Sequence, residues 1–270
     1  MLWYNAAMKK LIRVLMILAV LAAAVFWFFY PLRSLVVMGI YSAQHDNDSV
    51  MSRAGVDIDM PSSKGWYPFV MTYNAHSFGA WANVDAQMSI MYNFGAFDLL
   101  KRTSTIYDRQ SDKYSAFYGA YAVRESGGVF GFAPDGSVDM DEVSLAVEYD
   151  YTQLVIAGFG LQNPVFSVDE YTVAQNVDYA GSGGWTRVDA QITANGAAHN
   201  YDGYVQPYLQ YGRPMESVET DFEETAFYGR VYAKYLEHRD VTVMLYIIGP
   251  SEGTVEICDK EVLSKTEIKD

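Results

Sequence analysis

The clearest fold signal in this chain is an apolar segment near its C-terminus, residues 241–248, which reads Val241-Thr242-Val243-Met244-Leu245-Tyr246-Ile247-Ile248. β-Branched and aromatic residues dominate it, as is typical of β-strands. Because apolar side chains occupy almost every position, both faces should be buried, which predicts a central strand of a sheet. A Gly-Pro-Ser-Glu-Gly turn follows, and residues 254–262 are predicted to form the second strand of a hairpin.

Period-two patterns dominate the chain before this hairpin. Residues 56–60 and 88–94 alternate apolar with polar side chains, which is the pattern of a half-buried strand. Further strands are predicted at residues 66–73, 117–123, 129–132, 154–159, 165–173 and 186–192. Residues 143–149 also alternate, although the acidic residues before them are equally compatible with the start of a helix. This many strands favours a mainly β (α+β) domain, an antiparallel sheet closed in a sandwich-like way.

One packed helix is predicted near residues 221–238. Thr220 and Glu223 have the spacing of a capping box, in which each side chain bonds the backbone N–H of the other residue. Acidic residues crowd the start of the segment and basic residues its end, as the helix dipole favours. Phe227, Val231 and Tyr235 recur at i, i+4 spacing and would form one apolar face of that helix.

An uninterrupted apolar run occupies residues 14–30, near the N-terminus. At about 1.5 Å per residue, the run and its apolar neighbours are long enough to cross a hydrocarbon core of about 30 Å. We therefore predict a transmembrane signal anchor at residues 11–32. The alanines at 22–24, preceded by basic residues, are also compatible with a cleaved signal peptide. Against cleavage, the run continues past them and ends in Trp27 and Tyr30, as at an interfacial aromatic belt.

The charges around this run predict its orientation. Three basic residues lie just before it, and one lies close behind it. By the positive-inside rule, residues 1–10 should be cytoplasmic and the remainder should face outward from the cell membrane as a single-pass protein. Residues 33–53 are interpreted as a juxtamembrane stalk and polar linker, which leaves residues 54–270 as the extracytoplasmic β-rich domain.

The outward-facing part is strongly acidic. The formal charge of the chain is −14, and it becomes −18 for residues 42–270 because the first 41 residues carry four basic and no acidic side chains. Such a surface repels nucleic acid and anionic lipid, so neither is expected as a ligand of the domain. Cations, neutral glycans and basic protein surfaces remain as partners. The alternative is that the acidity only keeps an exported domain soluble.

Common catalytic motifs are missing from the sequence. It contains no His-Glu-x-x-His or Gly-x-x-x-x-Gly-Lys motif and no pair of cysteines. This argues against the usual zinc and nucleotide chemistries. Cys258 is the only cysteine, so an intrachain disulfide is impossible. Its apolar surroundings favour a buried small hydrophobe over a nucleophile.

Two groups of polar and aromatic residues are the candidate ligand-binding residues. They are Trp66, Tyr67, His76 and Trp81 in the first group, and His199, Tyr201 and Asp202 in the second. Aromatic rings beside polar groups suit the stacking of a neutral sugar. The alternative is that the tryptophans belong to the core and that His199 lies in an exposed loop.

Residues 135–142 resemble the second half of a calcium-binding loop, with Asp135, Asp139 and Asp141 as candidate Ca²⁺ ligands. The same register places Gly131 and Ala133 at the first two ligand positions, where neither offers a side-chain oxygen. A hairpin turn or a helix entry is therefore favoured over a metal site, and Ca²⁺ is the one cofactor considered.

Taken together, these features predict a membrane-anchored, extracytoplasmic binding or accessory protein of the cell envelope that recognises a glycan or a protein without catalysis. The alternative is a membrane-tethered enzyme that acts on glycans through an acidic pair. Candidate members of such a pair are Glu148, Asp150, Glu170, Glu223 and Glu224. A pocket with two carboxylates about 5 to 9.5 Å apart beside exposed aromatic rings would favour the enzyme.

Overall fold

The computed structural model describes residues 2–62, 67–98, 101, 103–156, 163–195 and 223–269. Its strands are β1 Asp57–Asp59, β2 Tyr67–Ala75, β3 Ala86–Asp98, β4 Thr103–Ser104, β5 Phe117–Glu125, β6 Phe166–Tyr179, β7 Ser182–Asn195, β8 Glu224–Leu236, β9 Val241–Gly249 and β10 Glu267–Lys269. Its α-helices are α1 Leu2–Trp27, α2 Phe29–Asp46, α3 Val50–Ala54, α4 Phe78–Ala82, α5 Met140–Tyr149 and α6 Glu252–Glu261. A π-helical segment, Asp150–Ile156, continues α5.

Seven long strands form one antiparallel sheet in the order β2-β3-β5-β9-β8-β7-β6, and the short β4 pairs with β3. β9 lies in the middle of the sheet, and every one of its residues is buried. The prediction of a central strand is therefore confirmed. β1 and β10 form a separate two-stranded sheet. A mainly β, antiparallel domain is confirmed, and a sandwich-like β domain is consistent with this arrangement.

Helices cover both faces of the sheet. On one face, Val143 and Val147 of α5 pack over Val188 of β7 and Val231 of β8. On the other face, α6 buries Val255 and Cys258, which is fully shielded from solvent. Burial raises the pKa of the Cys258 thiol to about 12, so the expectation of a buried, unreactive cysteine agrees with its environment.

The predicted helix near residues 221–238 is wrong, because this segment is strand β8. Its backbone pairs with β7 on one side and with β9 on the other. The apolar residues that suggested a helix face, Phe227, Val231 and Tyr235, are separated by even numbers. They therefore also lie on one face of a strand, where side chains alternate with period two. The candidate cap, Thr220, lies outside the described residues.

The predicted second strand of the C-terminal hairpin, residues 254–262, is also wrong, because these residues belong mainly to α6. Ser251 caps this helix by accepting a hydrogen bond from the N–H of Thr254 at 3.1 Å. Val255 and Cys258 are three residues apart and both are buried, which is the period of a helix. The helix alternative for residues 143–149 is likewise the correct one, since these residues lie in α5. Residues 129–132 form turns and one isolated bridge.

The segment interpreted as a stalk and polar linker, residues 33–53, is mainly helical, and the C-terminal half of α2 packs on the domain. The Oγ of Ser42 in α2 accepts a hydrogen bond from the N–H of Thr72 at 3.1 Å. The carbonyl of His45 accepts one from the side chain of Asn74 at 3.0 Å. The polar residues of α2 therefore cover the edge strand β2, which would otherwise expose unpaired backbone groups.

Among the described residues, one helix is long and apolar enough to cross a membrane, and it spans Met8–Trp27. None of this segment is buried against the domain. By length and composition it fits either a membrane anchor or a signal sequence.

Candidate functional site

An open groove lies between the loop that follows β5 and the hairpin formed by β6 and β7. Its cavity volume is about 890 Å³. Thr186 of β7 and Tyr235 of β8 contribute to its wall from the sheet. Four carboxylates line it, those of Glu125, Asp135, Asp139 and Glu142, and we call it the acidic groove.

Glycine residues and a β-bulge shape the groove. The loop passes close to Glu125 at Gly128, where a Cβ would lie 2.5 Å from the Oε2 of this carboxylate and would displace it. On the opposite wall, the pairing of β6 with β7 is irregular between Ala174 and Val177, and Asn176 has a positive φ of 55°. Bulges of this kind re-aim side chains at the edges of binding sites. Asn176 and Gln175 line the groove.

The electrostatic environment of the groove favours a cationic ligand. Burial raises the pKa of Glu142, and the nearby Glu125 and Asp139 raise it further, while a hydrogen bond from the N–H of Gly131 opposes the shift. A neighbouring cavity of about 560 Å³ shares Glu125 with the groove. Arg124 is the one basic residue among the described residues that line the two cavities, and it already donates to the backbone carbonyls of Arg239 and Asp240.

The groove also offers groups that bind uncharged polar ligands. Phe132 and Tyr235 present partly exposed aromatic rings, and Gln175, Asn176 and Thr186 add amide and hydroxyl groups. Rings beside hydrogen-bonding groups suit the stacking of a sugar ring. The arrangement therefore fits a ligand that combines positive charge with polar or ring surfaces, such as an amino sugar or a basic peptide.

The candidate Ca²⁺ ligands are occupied by local structure. The carboxylate of Asp135 accepts hydrogen bonds from the N–H and the Oγ of Ser137, and these bonds lower its pKa. Asp139 caps α5 by accepting from the N–H groups of Asp141 and Glu142. Within the described residues, no group of three or more His, Cys, Asp or Glu side chains could hold a metal ion. The turn and helix entry favoured from the sequence are what these residues form.

Of the candidate ligand-binding residues, the structure describes the side chains of His76 and Trp81. Trp81 of α4 packs edge-on against Tyr149, with ring centroids 5.4 Å apart, as the core alternative predicts. His76 is exposed after β2 and lines a separate cavity of about 360 Å³. Trp66, the side chain of Tyr67, and His199, Tyr201 and Asp202 lie outside the described residues.

The acidic residues proposed from the sequence for glycan hydrolysis do not line the acidic groove. Glu170 lies on the exposed edge strand β6, and Glu223 and Glu224 are exposed at the start of β8. Glu148 lies on α5, away from the groove-lining residues. Glu125 is a groove residue that sequence reasoning missed, and Glu142 entered it only as the last residue of the calcium-like segment 135–142. The glycine-rich turn at 127–136 between them was the available signal, since such turns often form binding loops.

Asp150 is enclosed in the core. Its two carboxylate oxygens accept hydrogen bonds from the hydroxyls of Tyr92 at 2.5 Å and Tyr121 at 2.7 Å, and Tyr246 is a third partner. Burial raises the pKa of Asp150 to about 6, against the opposing effect of these hydrogen bonds. The aspartate is 3% exposed, so this cluster is closed to a ligand and its role is structural.

Comparison with protein-family models, curated proteins and solved structures finds no match to this chain.

Proposed function

We propose that this protein is a membrane-anchored, outward-facing binding protein of the cell envelope, without catalytic activity, whose acidic groove recognises a cationic glycan or a basic segment of a protein. One observation carries the proposal: four carboxylates and two aromatic rings surround an open cavity of about 890 Å³ that no lysine or arginine lines among the described residues. A neutral sugar brings no charge to balance these carboxylates, whereas an amine would form charge-assisted hydrogen bonds with them.

The proposed location rests on the apolar helix and its flanking charges. Retention of the segment Met8–Trp27 would anchor the chain, and the basic residues before it favour a cytoplasmic N-terminus. Protease added to intact cells should therefore digest the β-rich domain while leaving a small membrane-bound fragment. An epitope tag at each end, followed by immunoblotting, measures this. Full protection of the C-terminal tag would contradict the proposed orientation.

Neutralising the acidic groove should weaken binding of a cationic ligand. We expect the double variant Glu125→Gln, Glu142→Gln to bind pentalysine or a β-1,4-linked glucosamine hexamer about ten-fold more weakly at low salt, because two attractive charges are removed. Both substitutions keep side-chain hydrogen-bond acceptors. Isothermal titration calorimetry on the full-length protein in lipid nanodiscs gives the dissociation constants.

The matched control is Glu170→Gln, Glu267→Gln, which changes the formal charge equally at two exposed positions outside the groove. This control should bind like the wild type. Preference for the hexamer or for pentalysine identifies the ligand as glycan or protein. Failure of the unmodified protein to bind either probe, or an equal loss in both double variants, would refute the groove as the binding site.

A second candidate function is glycan hydrolysis, which one observation favours. The pKa of Glu142 is raised beside Glu125 and Asp139, as in a general acid that neighbours a carboxylate base. The same experiment separates the candidates. Release of reducing ends from the glucosamine hexamer by the wild type, and its loss in Glu142→Gln with binding retained, would assign an enzyme.

A further inference from the structure

Three cavities adjoin one another at one end of the main sheet. The acidic groove shares Glu125, Gly128 and Val129 with the neighbouring cavity of about 560 Å³. That middle cavity shares Gln87 with the cavity of about 360 Å³ that His76 lines. Together the three cavities form one trough, which begins at the acidic groove and ends beside His76, and we call it the strand-end trough.

The strand order gives the direction and the length of the strand-end trough. Residues of β6, β7 and β8 line the acidic groove, residues of β3 and β5 line the middle cavity, and residues of β2 and β3 line the last one. The trough therefore runs across the strands of the sheet. Six strand spacings of about 4.8 Å separate β2 from β6, which gives a length of about 29 Å. An extended peptide rises about 3.3 Å per residue, so eight or nine residues fill this length.

The formal charge becomes less negative along the strand-end trough. The acidic groove carries four carboxylates and, among the described residues, no lysine or arginine. Three carboxylates and one arginine, Arg124, line the middle cavity. The last cavity has one carboxylate, that of Asp48, and the guanidinium of Arg53. A uniformly cationic polymer would meet positive charge at the far end, whereas a ligand with its positive charge at one end matches the trough.

The lining groups favour a peptide over a glycan. The aromatic rings of Phe132 and Tyr235 lie in the acidic groove, and the described residues that line the other two cavities include no Phe, Tyr or Trp. A sugar chain would therefore lack stacking partners over most of the trough. At Gly127 and Gly128 the middle cavity offers backbone instead of side chains, and the amide of Gln87 follows. Such groups pair with the N–H and C=O groups of a peptide.

We propose that the strand-end trough binds an extended peptide segment of about eight residues whose basic side chains are clustered at one end. The inference rests on the function proposed above, because it assigns the ligand of the same acidic groove. The basic end lies in the acidic groove, and the uncharged remainder crosses the middle cavity towards Arg53. The basic end contributes ion pairs and the remainder contributes backbone hydrogen bonds, so both parts add to the affinity.

The dependence of affinity on peptide length tests the trough. Tetralysine fills only the acidic groove, whereas an octapeptide of four lysines followed by Ser-Gln-Ser-Gln, or the same peptide in reverse order, reaches the far cavity. We expect one of the two octapeptides to bind at least about ten-fold more tightly than tetralysine, because several hydrogen bonds are added. Isothermal titration calorimetry at low salt, on the full-length protein in phosphatidylcholine nanodiscs, measures the dissociation constants. This lipid carries no net charge and does not attract the lysines.

The position of the lysines is tested by a third octapeptide of the same composition, in which lysine alternates with serine or glutamine. About half of its lysines would lie outside the acidic groove, so it should bind about ten-fold more weakly than the better of the clustered octapeptides. Equal binding of the alternating and the clustered peptide would overturn the clustering of basic side chains at one end.

A variant at the junction of two cavities tests the path of the ligand. Gln87 is exposed near the start of β3, where the middle and the last cavity meet. An indole obstructs this passage, so the gain in affinity with length should vanish in Gln87→Trp. Tetralysine should bind this variant as it binds the wild type, which also shows that the variant is folded. The matched control, Gln191→Trp, changes an exposed residue of β7 outside the trough and should keep the gain.

The possible results separate the trough from the proposed function. Equal binding of tetralysine and both clustered octapeptides, or a gain with length that survives in Gln87→Trp, would overturn the trough and leave the acidic groove as the binding site. A gain with length between the dimer and the hexamer of β-1,4-linked glucosamine, with none among the peptides, would overturn the peptide in favour of a glycan. Failure of every cationic probe to bind would refute the proposed function and the trough with it.

Discussion

Replacing Arg230 with methionine is expected to lower the free energy of unfolding by about 3–5 kcal/mol, because it leaves the buried carboxylate of Asp259 without its cation. The Arg230 side chain is 8% exposed and donates from Nε to Asp189 at 2.5 Å and from Nη1 to Asp259 at 2.7 Å. A third bond, from Nη2 to Glu256, is also 2.7 Å long, but that carboxylate is 59% exposed and contributes less.

The loss should be large because Asp259 has other buried partners. The hydroxyls of Tyr179 and Tyr232 both donate to this carboxylate, and their rings stack with centroids 3.4 Å apart. Burial, together with the hydrogen bond to Asp259, raises the pKa of both tyrosines, so both remain neutral donors and supply no positive charge in place of the guanidinium. Through this network, β8 holds α6 against the sheet.

Urea denaturation followed by circular dichroism measures the change in stability. The control is Lys269→Met, whose side chain is 59% exposed and lies 3.8 Å from the carboxylate of Asp59. This control should lose about 1 kcal/mol or less. Equal stability of Arg230→Met and the wild type would show that the network contributes little, and would remove the explanation for how α6 is held.

The free energies of unfolding of the variant Asp150→Asn and of the wild type should differ by an amount that changes by about 3 kcal/mol between pH 4 and pH 8. Burial raises the pKa of Asp150 from 3.8 to about 6 in the folded protein. Between these values the folded state binds the proton more tightly than the unfolded chain does. The contribution of Asp150 therefore favours folding most near pH 4 and is lost as the pH rises through 6. Two pKa units correspond to about 3 kcal/mol.

Asparagine cannot ionise, so the variant should lack this slope and gain stability relative to the wild type as the pH rises. The free energies of unfolding of both proteins at pH 4, 6 and 8 give the difference, in which contributions from other carboxylates cancel. The exposed Asp57→Asn provides the control and should show a nearly constant difference from the wild type. A constant difference for Asp150→Asn as well would argue against a raised pKa at this site.

The sequence predicted correctly those strands in which the amino-acid composition and the spacing of the apolar residues both indicate a strand. β9 is continuously apolar because both of its faces are covered, and β1 alternates because only one of its faces is buried. The errors at β8 and α6 have a different cause. Spacing of four residues fits one face of either a helix or a strand, and a polar N-cap such as Ser251 also resembles a hairpin turn.

The acidic groove could not be predicted because its walls come from distant parts of the chain. Glu125 ends β5, Glu142 begins α5, Asn176 lies in a bulge of β6 and Tyr235 lies near the end of β8. Only the turn around Asp135 was recognisable as a local motif. Its aspartates belong to a turn and a helix cap, and whether they serve a ligand depends on what lies across the groove.

The sequence by itself determined the apolar segment, the acidic charge and the mainly antiparallel β fold, since these depend on composition and on periods of a few residues. The tertiary structure alone decided that residues 224–236 are a strand, that α2 covers the edge of β2, and that Asp150 and Arg230 are enclosed. These outcomes depend on which backbone and side-chain partners are adjacent in space. Hydrogen bonding and desolvation act between neighbours in the fold, which lie far apart along the chain.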